Sequence, residues 1–188
     1  MSTFFTSDWH FGHANIIKYS NRPFADKYEM DRSIIVSHNS VVQPEDTVYF
    51  LGDIGFSDYQ YLAKVINRLN GIIHLVKGNH DNKLLKHSEV RSRFASVNDL
   101  LEVTIPDQQG HRGGQKIVLC HYAMRVWNKS HHGSWQLYGH SHGSLAELRN
   151  SLQFDVGVDS HSFFPWSYEE VKAKMKTKEF QPIDHHGA

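Results

Sequence analysis

The first half of the chain alternates short apolar runs with longer segments of helical periodicity. The apolar runs at residues 3–7, 47–51 and 72–76 predict β-strands. Between them, apolar side chains recur every three or four positions in residues 29–42 and 58–69, which predicts two amphipathic helices. This β-α-β-α-β alternation favours parallel strands that are covered by helices.

The second half of the chain changes character and predicts a further set of strands. Their apolar runs lie at residues 100–105, 116–120, 135–138 and 152–158. A turn across residues 107–114 joins the first two of them. Ser167, with Glu170 three positions later, forms a capping box that predicts a final helix to about Lys176. We expect an α/β fold with two sheets packed face to face and helices outside, in a single domain over residues 1–188.

The composition narrows the choice of partner and compartment. Lysine plus arginine and aspartate plus glutamate are equal at 20 each, so there is no overall cationic field to collect nucleic acid. No stretch is long and apolar enough to cross a membrane, and the first residues lack the pattern of a signal peptide. The single cysteine, Cys120, fits a reducing compartment. We therefore expect a cytoplasmic protein that does not contact a membrane.

Seven potential metal ligands follow the predicted strands, in a chain with 15 histidines. They are Asp8, His10, Asp53, Asn79, His121, His140 and His142. In an open α/β sheet, the loops from several strands converge beyond the carboxyl ends of those strands. A lone aspartate or histidine at a strand end is weak evidence for a site, but ligands at five separate strand ends together predict a metal centre.

The spacing within two of the motifs supports the same centre. Asp-x-His and His-x-His place alternate residues on one side of an extended chain, because the strand period is two. By this rule Asp8 and His10 can face a common centre, and so can the two histidines of residues 140–142. Cys120 precedes His121 and should point to the opposite face, so it is not predicted to be a ligand.

The charges and ligand types predict two divalent metal ions as cofactors. Two such ions bring about four positive charges, of which the carboxylates of Asp8 and Asp53 neutralise about two. The remaining positive charge, about +2, suits a bound hydroxide and a phosphoryl oxyanion. Nitrogen and oxygen ligands without thiolate favour Mn, Fe, Zn, Co or Ni over Mg or Ca, and Mn²⁺ is the ion we expect.

The motifs together resemble those of a known superfamily. In order along the chain they are Asp8-x-His10, Gly52-Asp53, Gly78-Asn79-His80-Asp81, His121 and Gly139-His140-x-His142. They match the five motifs of the calcineurin-like metallophosphoesterases, and the chain looks most like the compact single-domain phosphoesterases of bacteria and phages. The resemblance implies a four-layer αββα sandwich of two mixed β-sheets flanked by helices, with a dimetal site at the carboxyl-terminal ends of the strands.

The resemblance also implies a role for each site residue. One metal ion would be held by Asp8, His10, Asp53 and His142, and the other by Asp53, Asn79, His121 and His140. Asp53 would bridge the two ions as part of the catalytic centre. His80 would lie near the leaving-group oxygen as a general acid or charge stabiliser. Asp81 would either orient His80 or cap a helix that begins near Asn82.

Substrate contacts are expected from the loops around the site. Arg125 lies between the ligands His121 and His140, and its guanidinium fork matches phosphoryl oxygens, although a surface arginine is an equal alternative. Arg22 is a second candidate contact. His13 is either a contact or a partner of the metal ligands.

The predicted function is that of a binuclear metal-dependent phosphoesterase. It would hydrolyse phosphomonoesters or phosphodiesters through a metal-bridging hydroxide, with small nucleotides as candidate substrates. Residues 52–58 lack the Asp-Arg pair that serine/threonine phosphatases of the superfamily carry, which disfavours a phosphoprotein substrate. Two alternatives stay open, a nuclease acting on DNA or RNA and a non-catalytic metal-binding scaffold. The balanced charge speaks against the first, and the complete set of ligands speaks against the second.

Overall fold

Strands and helices alternate along the computed structural model, which describes residues 1–107 and 113–184. The strands of these residues are, in chain order, β1 (Thr3–Thr6), β2 (Thr47–Phe50), β3 (Ile72–Val76), β4 (Phe94–Asn98), β5 (Leu100–Ile105), β6 (Gln115–Cys120), β7 (Trp135–Tyr138), β8 (Gln153–Asp155) and β9 (Trp166–Ser167). The helices are α1 (Ala14–Tyr19), α2 (Lys27–Val41), α3 (Tyr59–Ile66), α4 (Ser88–Arg91) and α5 (Tyr168–Lys176). Of the helices in these residues, none combines the length and apolar character needed to cross a membrane.

The strands form two mixed sheets. The first has the order β4-β3-β2-β1-β9, with parallel neighbours except for the antiparallel pair of β1 and β9. The second has the order β5-β6-β7-β8, in which β5 and β6 are the antiparallel pair. Two mixed sheets flanked by helices confirm the expected αββα sandwich. The extent of the domain, residues 1–188, stays a prediction.

Two apolar clusters hold the layers together. One lies between the first sheet and helices α1 to α4, and in it Trp9 stacks on Phe50 with ring centroids 3.6 Å apart. The other includes Phe5 of the first sheet, Leu119 of the second and Val171 of α5. Burying an aromatic side chain such as that of Trp9 contributes roughly 2–3 kcal/mol to stability. The packing of Trp9 therefore anchors the backbone that carries the first two predicted metal ligands.

Local hydrogen bonds set the ends of the helices. The Asp26 side chain accepts two backbone N–H groups of the first turn, so α2 begins two residues before the predicted start. The Asp58 side chain accepts one N–H, that of Tyr61, at the start of α3, and this helix is shorter than the predicted range 58–69. The capping box of Ser167 and Glu170 is confirmed at the start of α5.

A few elements differ from the sequence prediction. Helix α1 buries a single side chain, Ile16, so it leaves no helical periodicity to detect, and β4 buries only Phe94. Strand β8 is shorter than the predicted range 152–158. The helix expected near Asn82 is a turn followed by a 3₁₀ turn at Leu84–Lys86. Residues 108–112 of the predicted turn across residues 107–114 lie outside the described residues.

His38 of α2 makes the stability of this fold depend on pH. The side chain is buried, and its Nε2 lies 3.0 Å from the backbone oxygen of Asn70. Burial lowers the pKa of His38 from its ordinary 6.5 to about 4. Because the unfolded chain binds the proton first, stability that rests on neutral His38 is complete above pH 6.5 and is lost as the pH falls toward 4.

We therefore expect the free energy of unfolding to fall more steeply for the wild type than for His38→Gln between about pH 6.5 and about pH 5. The difference in slope should approach about 1.4 kcal/mol per pH unit. Urea titrations in the presence of a chelator measure both slopes. His132→Gln, at an exposed position, is the control and should follow the wild type. Equal slopes for the wild type and His38→Gln would contradict a buried neutral histidine.

Candidate metal centre

Five loops meet at one end of the sandwich. The loops after β1, β2 and β3 are adjacent because these strands are parallel neighbours, and the loops after β6 and β7 are adjacent for the same reason. The backbone N–H of Asp8 donates to the oxygen of Gly52 at 2.9 Å, and that of Gly139 donates to the oxygen of His121 at 3.0 Å. The distances between their side-chain atoms place all seven predicted ligands at the same end.

The predicted ligands form two groups, and one carboxylate of the second group also adjoins the first. Ligand atoms within 4.8 Å of one another belong either to Asp8, His10 and His142 or to Asp53, His121 and His140. Asp53 Oδ2 lies 3.6 Å from His10 Nε2 and 3.6 Å from His121 Nε2. Asn79 Oδ1 lies 3.0 Å from His121 Nε2 and so adjoins the second group. Asp53 therefore has the position that a ligand shared by two ions requires.

Most of the ligands lie on left-handed backbone. The φ angles are +60° at Asp8, +52° at His10, +61° at Asp53, +68° at His140 and +48° at His142. This conformation costs a residue other than glycine about 1 kcal/mol or more, and such strain concentrates at functional sites. The prediction that an extended chain aligns the ligands of Asp-x-His and His-x-His is wrong. Asp8 and His10, both left-handed, still join one group of ligands, whereas His140 and His142 belong to different groups.

Two glycines allow a loop to approach a carboxylate closely. A Cβ atom on Gly78 would lie 2.2 Å from Asp53 Oδ1, and one on Gly139 would lie 2.5 Å from Asp8 Oδ2. Both distances are far inside van der Waals contact, so a side chain at either position would displace a predicted ligand. In the sequence these glycines are only members of motifs. The structure shows why a glycine is needed at each position: a Cβ atom there would collide with a carboxylate.

Asp81 is buried and holds the loops after β2 and β3 together. Its carboxylate accepts hydrogen bonds from the backbone N–H groups of Asp53 (3.0 Å), Ile54 (2.9 Å) and Gly78 (2.8 Å). Burial raises the pKa of Asp81, and the bonds from Ile54 and Gly78 oppose that change. Asp81 therefore positions Asp53, which corrects the prediction that it orients His80 or caps a following helix.

A buried ion pair lies behind His142. Nδ1 of His142 is 2.7 Å from Asp159 Oδ2, which leaves the other ring nitrogen for a metal ion. Arg22 Nη2 donates to the same carboxylate at 2.8 Å and to the backbone oxygen of Asp8 at 2.8 Å, while Nη1 donates to the backbone oxygen of Trp9 at 3.0 Å. Arg22 is 4% exposed. Arg22 thus supports the loop after β1 that carries Asp8 and His10. This buried position corrects the prediction that Arg22 contacts the substrate.

Asp159 is the site residue that the sequence analysis missed. Burial by itself would raise the pKa of Asp159, but the hydrogen bonds from His142 and Arg22 outweigh burial and hold the pKa below its ordinary value. An ionised carboxylate on the outer nitrogen of a ligating histidine fixes the ring and its tautomer. Asp159 comes directly after the predicted strand at residues 152–158, and this is the same sequence signal that identifies the predicted ligands.

The innermost ligand atoms test whether metal ions fit. Among the described residues, Asp8 Oδ1 and His10 Nε2 are buried without a hydrogen-bond partner, 4.0 Å from each other. Burial raises the pKa of Asp8 to about 8 and lowers that of His10 to about 2. Buried polar atoms without partners are costly, and a cation between them would satisfy both. The nitrogen and oxygen donors suit borderline divalent ions, so the two groups fit a pair of such ions.

The remaining predicted residues take different positions. His80 is exposed, and its backbone N–H donates to Asp53 Oδ1 at 3.1 Å. It also lines a cavity of about 520 Å³ over the predicted ligands. His13 lines the same cavity, with its Nδ1 3.4 Å from His10 Nδ1, and its role stays a prediction. Arg125 is exposed and lines a separate cavity. It is not among the described residues that line the cavity over the ligands, and its role as a phosphate contact stays a prediction.

We expect Asp81→Asn to weaken both the fold and the metal centre. The asparagine side chain keeps one acceptor oxygen, but its NH₂ group would face backbone N–H groups that then lose their acceptor. This loss should lower the free energy of unfolding by about 1–3 kcal/mol. Urea unfolding and the metal content after dialysis measure the two effects. Asp58→Asn is the matched control and should change neither, since asparagine caps a helix as well as aspartate. Unchanged stability and metal content with reduced turnover would instead assign Asp81 to catalysis.

The comparisons with known proteins cover most of the chain. The model of the calcineurin-like phosphoesterase superfamily domain matches residues 1–156. The uncharacterized protein MJ1445 of Methanocaldococcus jannaschii is 34% identical over 179 residues, which is 94% of this chain and 83% of that protein. The Gene 66 protein of Mycobacterium phage L5 is 25% identical over 181 residues, 85% of this chain and 87% of that protein.

A solved structure agrees in fold. The protein of unknown function AQ665 from Aquifex aeolicus superposes with a TM-score of 0.65 at 23% identity, over 92% of this chain and 98% of that one. Together with the two groups of potential metal ligands, the match over residues 1–156 identifies the chain as a member of the calcineurin-like phosphoesterase superfamily.

Proposed function

We propose that this protein hydrolyses phosphomonoesters or phosphodiesters with the help of two divalent metal ions. The observation that carries the proposal is the position of Asp53, whose Oδ2 lies 3.6 Å from a histidine nitrogen of each ligand group. Ions held by the two groups would lower the pKa of a bound water and neutralise charge on the phosphoryl oxygens. Superfamily membership supports metal-dependent phosphoester chemistry in general.

His80 is the residue of this chain that acts on the leaving group in the proposal. Its backbone N–H is fixed by Asp53 Oδ1, and its imidazole contacts the Phe56 ring at a centroid distance of 4.4 Å. The ring also lines the cavity over the ligands, so a nitrogen can reach an ester oxygen there. A histidine so placed donates a proton or a hydrogen bond to the departing oxygen.

The size of the cavity and the charge of the chain favour a small ester as substrate, with small nucleotides as candidates. A volume of about 520 Å³ holds a ligand of nucleotide size. Equal numbers of acidic and basic side chains, 20 of each, offer no general attraction for DNA or RNA. The presence of every predicted ligand supports an enzyme over a non-catalytic scaffold. We also propose Mn²⁺ as the ion and the cytoplasm as the location.

We expect His80→Ala to lose turnover by about 10²–10⁴-fold while it still binds two metal ions per chain. Asp53→Asn should lose turnover and metal together, because it removes the shared ligand. The assay combines metal analysis with hydrolysis of p-nitrophenyl phosphate and bis-p-nitrophenyl phosphate in added Mn²⁺. His132→Ala, at an exposed position, should behave as the wild type. Turnover of His80→Ala at the wild-type rate would exclude the role of His80, and a wild type without stoichiometric metal would exclude the proposal.

A further inference from the structure

One side of the metal cavity is aromatic rather than polar. Tyr19, Phe56 and His13 line this side, and we call them the aromatic wall. Tyr19 is 75% exposed and Phe56 is 40% exposed, so both rings present free surface. Small-molecule sites commonly combine such apolar surface with a few polar groups that fix orientation.

The aromatic wall is held against the metal ligands by ring contacts. The Phe56 ring lies 4.4 Å from that of His13 and 5.7 Å from that of the ligand His10, measured between centroids. Tyr19 contacts His13 edge-on at 6.4 Å. The backbone N–H of Phe56 also donates to the oxygen of Phe11 at 2.8 Å. A surface ordered before binding loses little conformational entropy when a ligand packs on it.

The charges around the cavity limit the kind of ester that fits. No lysine or arginine is among the described residues that line it. Arg22, the cation just behind the ligands, is buried and paired with Asp159. Apart from the metal ions and the histidines, a phosphomonoester dianion therefore finds no lysine or arginine among these residues for its second charge. A phosphodiester carries a single charge and has a second organic group to place on the apolar side.

We propose that the aromatic wall binds a flat aromatic group of the substrate and that the substrates are phosphodiesters with such a group, for example an aryl or nucleoside ester. This inference rests on the proposed function and specifies its substrate class. Stacking on one exposed aromatic side chain is expected to change affinity by about 5- to 100-fold. Phe56 also contacts His80, so a change there would alter catalysis as well, and Tyr19 gives the cleaner test.

The test is calorimetric binding to Mn²⁺-loaded His80→Ala protein, in which hydrolysis is suppressed. Diphenyl phosphate and dimethyl phosphate carry the same charge and differ in their aromatic groups. We expect diphenyl phosphate to bind at least about 10-fold more tightly, and Tyr19→Ala to remove about 5-fold or more of that preference without changing dimethyl phosphate binding. Tyr28→Ala is the control, since Tyr28 is 57% exposed and is not among the residues that line this cavity.

The outcomes separate this inference from the function on which it rests. Equal affinity for the two diesters, or an unchanged preference in Tyr19→Ala, would overturn the role of the aromatic wall. Phenyl phosphate binding more tightly than diphenyl phosphate would overturn the preference for diesters. If the wild type hydrolyses none of these esters while the calorimetric preference holds, the proposed hydrolysis fails and the binding of aromatic groups stands.

Discussion

Three backbone N–H groups from two loops converge on the buried carboxylate of Asp81. Since one acid accepts from both Asp53 and Gly78, the loops after β2 and β3 cannot separate without leaving buried donors unpaired. Gly78 meets Asp53 so closely that no side chain fits between them. As a result the Asp53 carboxylate is held at equal distance from a ring nitrogen of His10 and one of His121. The position of Asp53, around which the two groups of predicted ligands are arranged, follows from this constraint.

The site is costly for the fold that carries it. Five left-handed ligands at about 1 kcal/mol each amount to a large part of the roughly 5–15 kcal/mol by which a domain is stable. The unpaired buried atoms of Asp8 and His10 add to this cost. The apolar cluster around Trp9 and Phe50 lies directly beneath and offsets it. A cation bound by the first group would satisfy the unpaired atoms, and its binding would then be thermodynamically linked to folding.

The parts of the site that the sequence predicts are those encoded by short motifs. The seven predicted ligands could be named because almost every one follows an apolar run, and the strands of those runs are where the pattern puts them. The supporting contacts could not be predicted, because they join distant positions. Arg22 and Asp159 are 137 positions apart, and Asp81 reaches back 28 positions to Asp53. For the same reason Arg22 was interpreted as a substrate contact, since nothing local shows that its guanidinium is buried.

The central claim is that Asp53 is shared by two metal ions, and anomalous diffraction from crystals grown with Mn²⁺ tests it most directly. The account predicts two anomalous peaks about 3.5–4 Å apart, both within bonding distance of the Asp53 carboxylate. One peak should also adjoin His10 and the other His121. A single peak, or two peaks that do not share Asp53, would contradict the account.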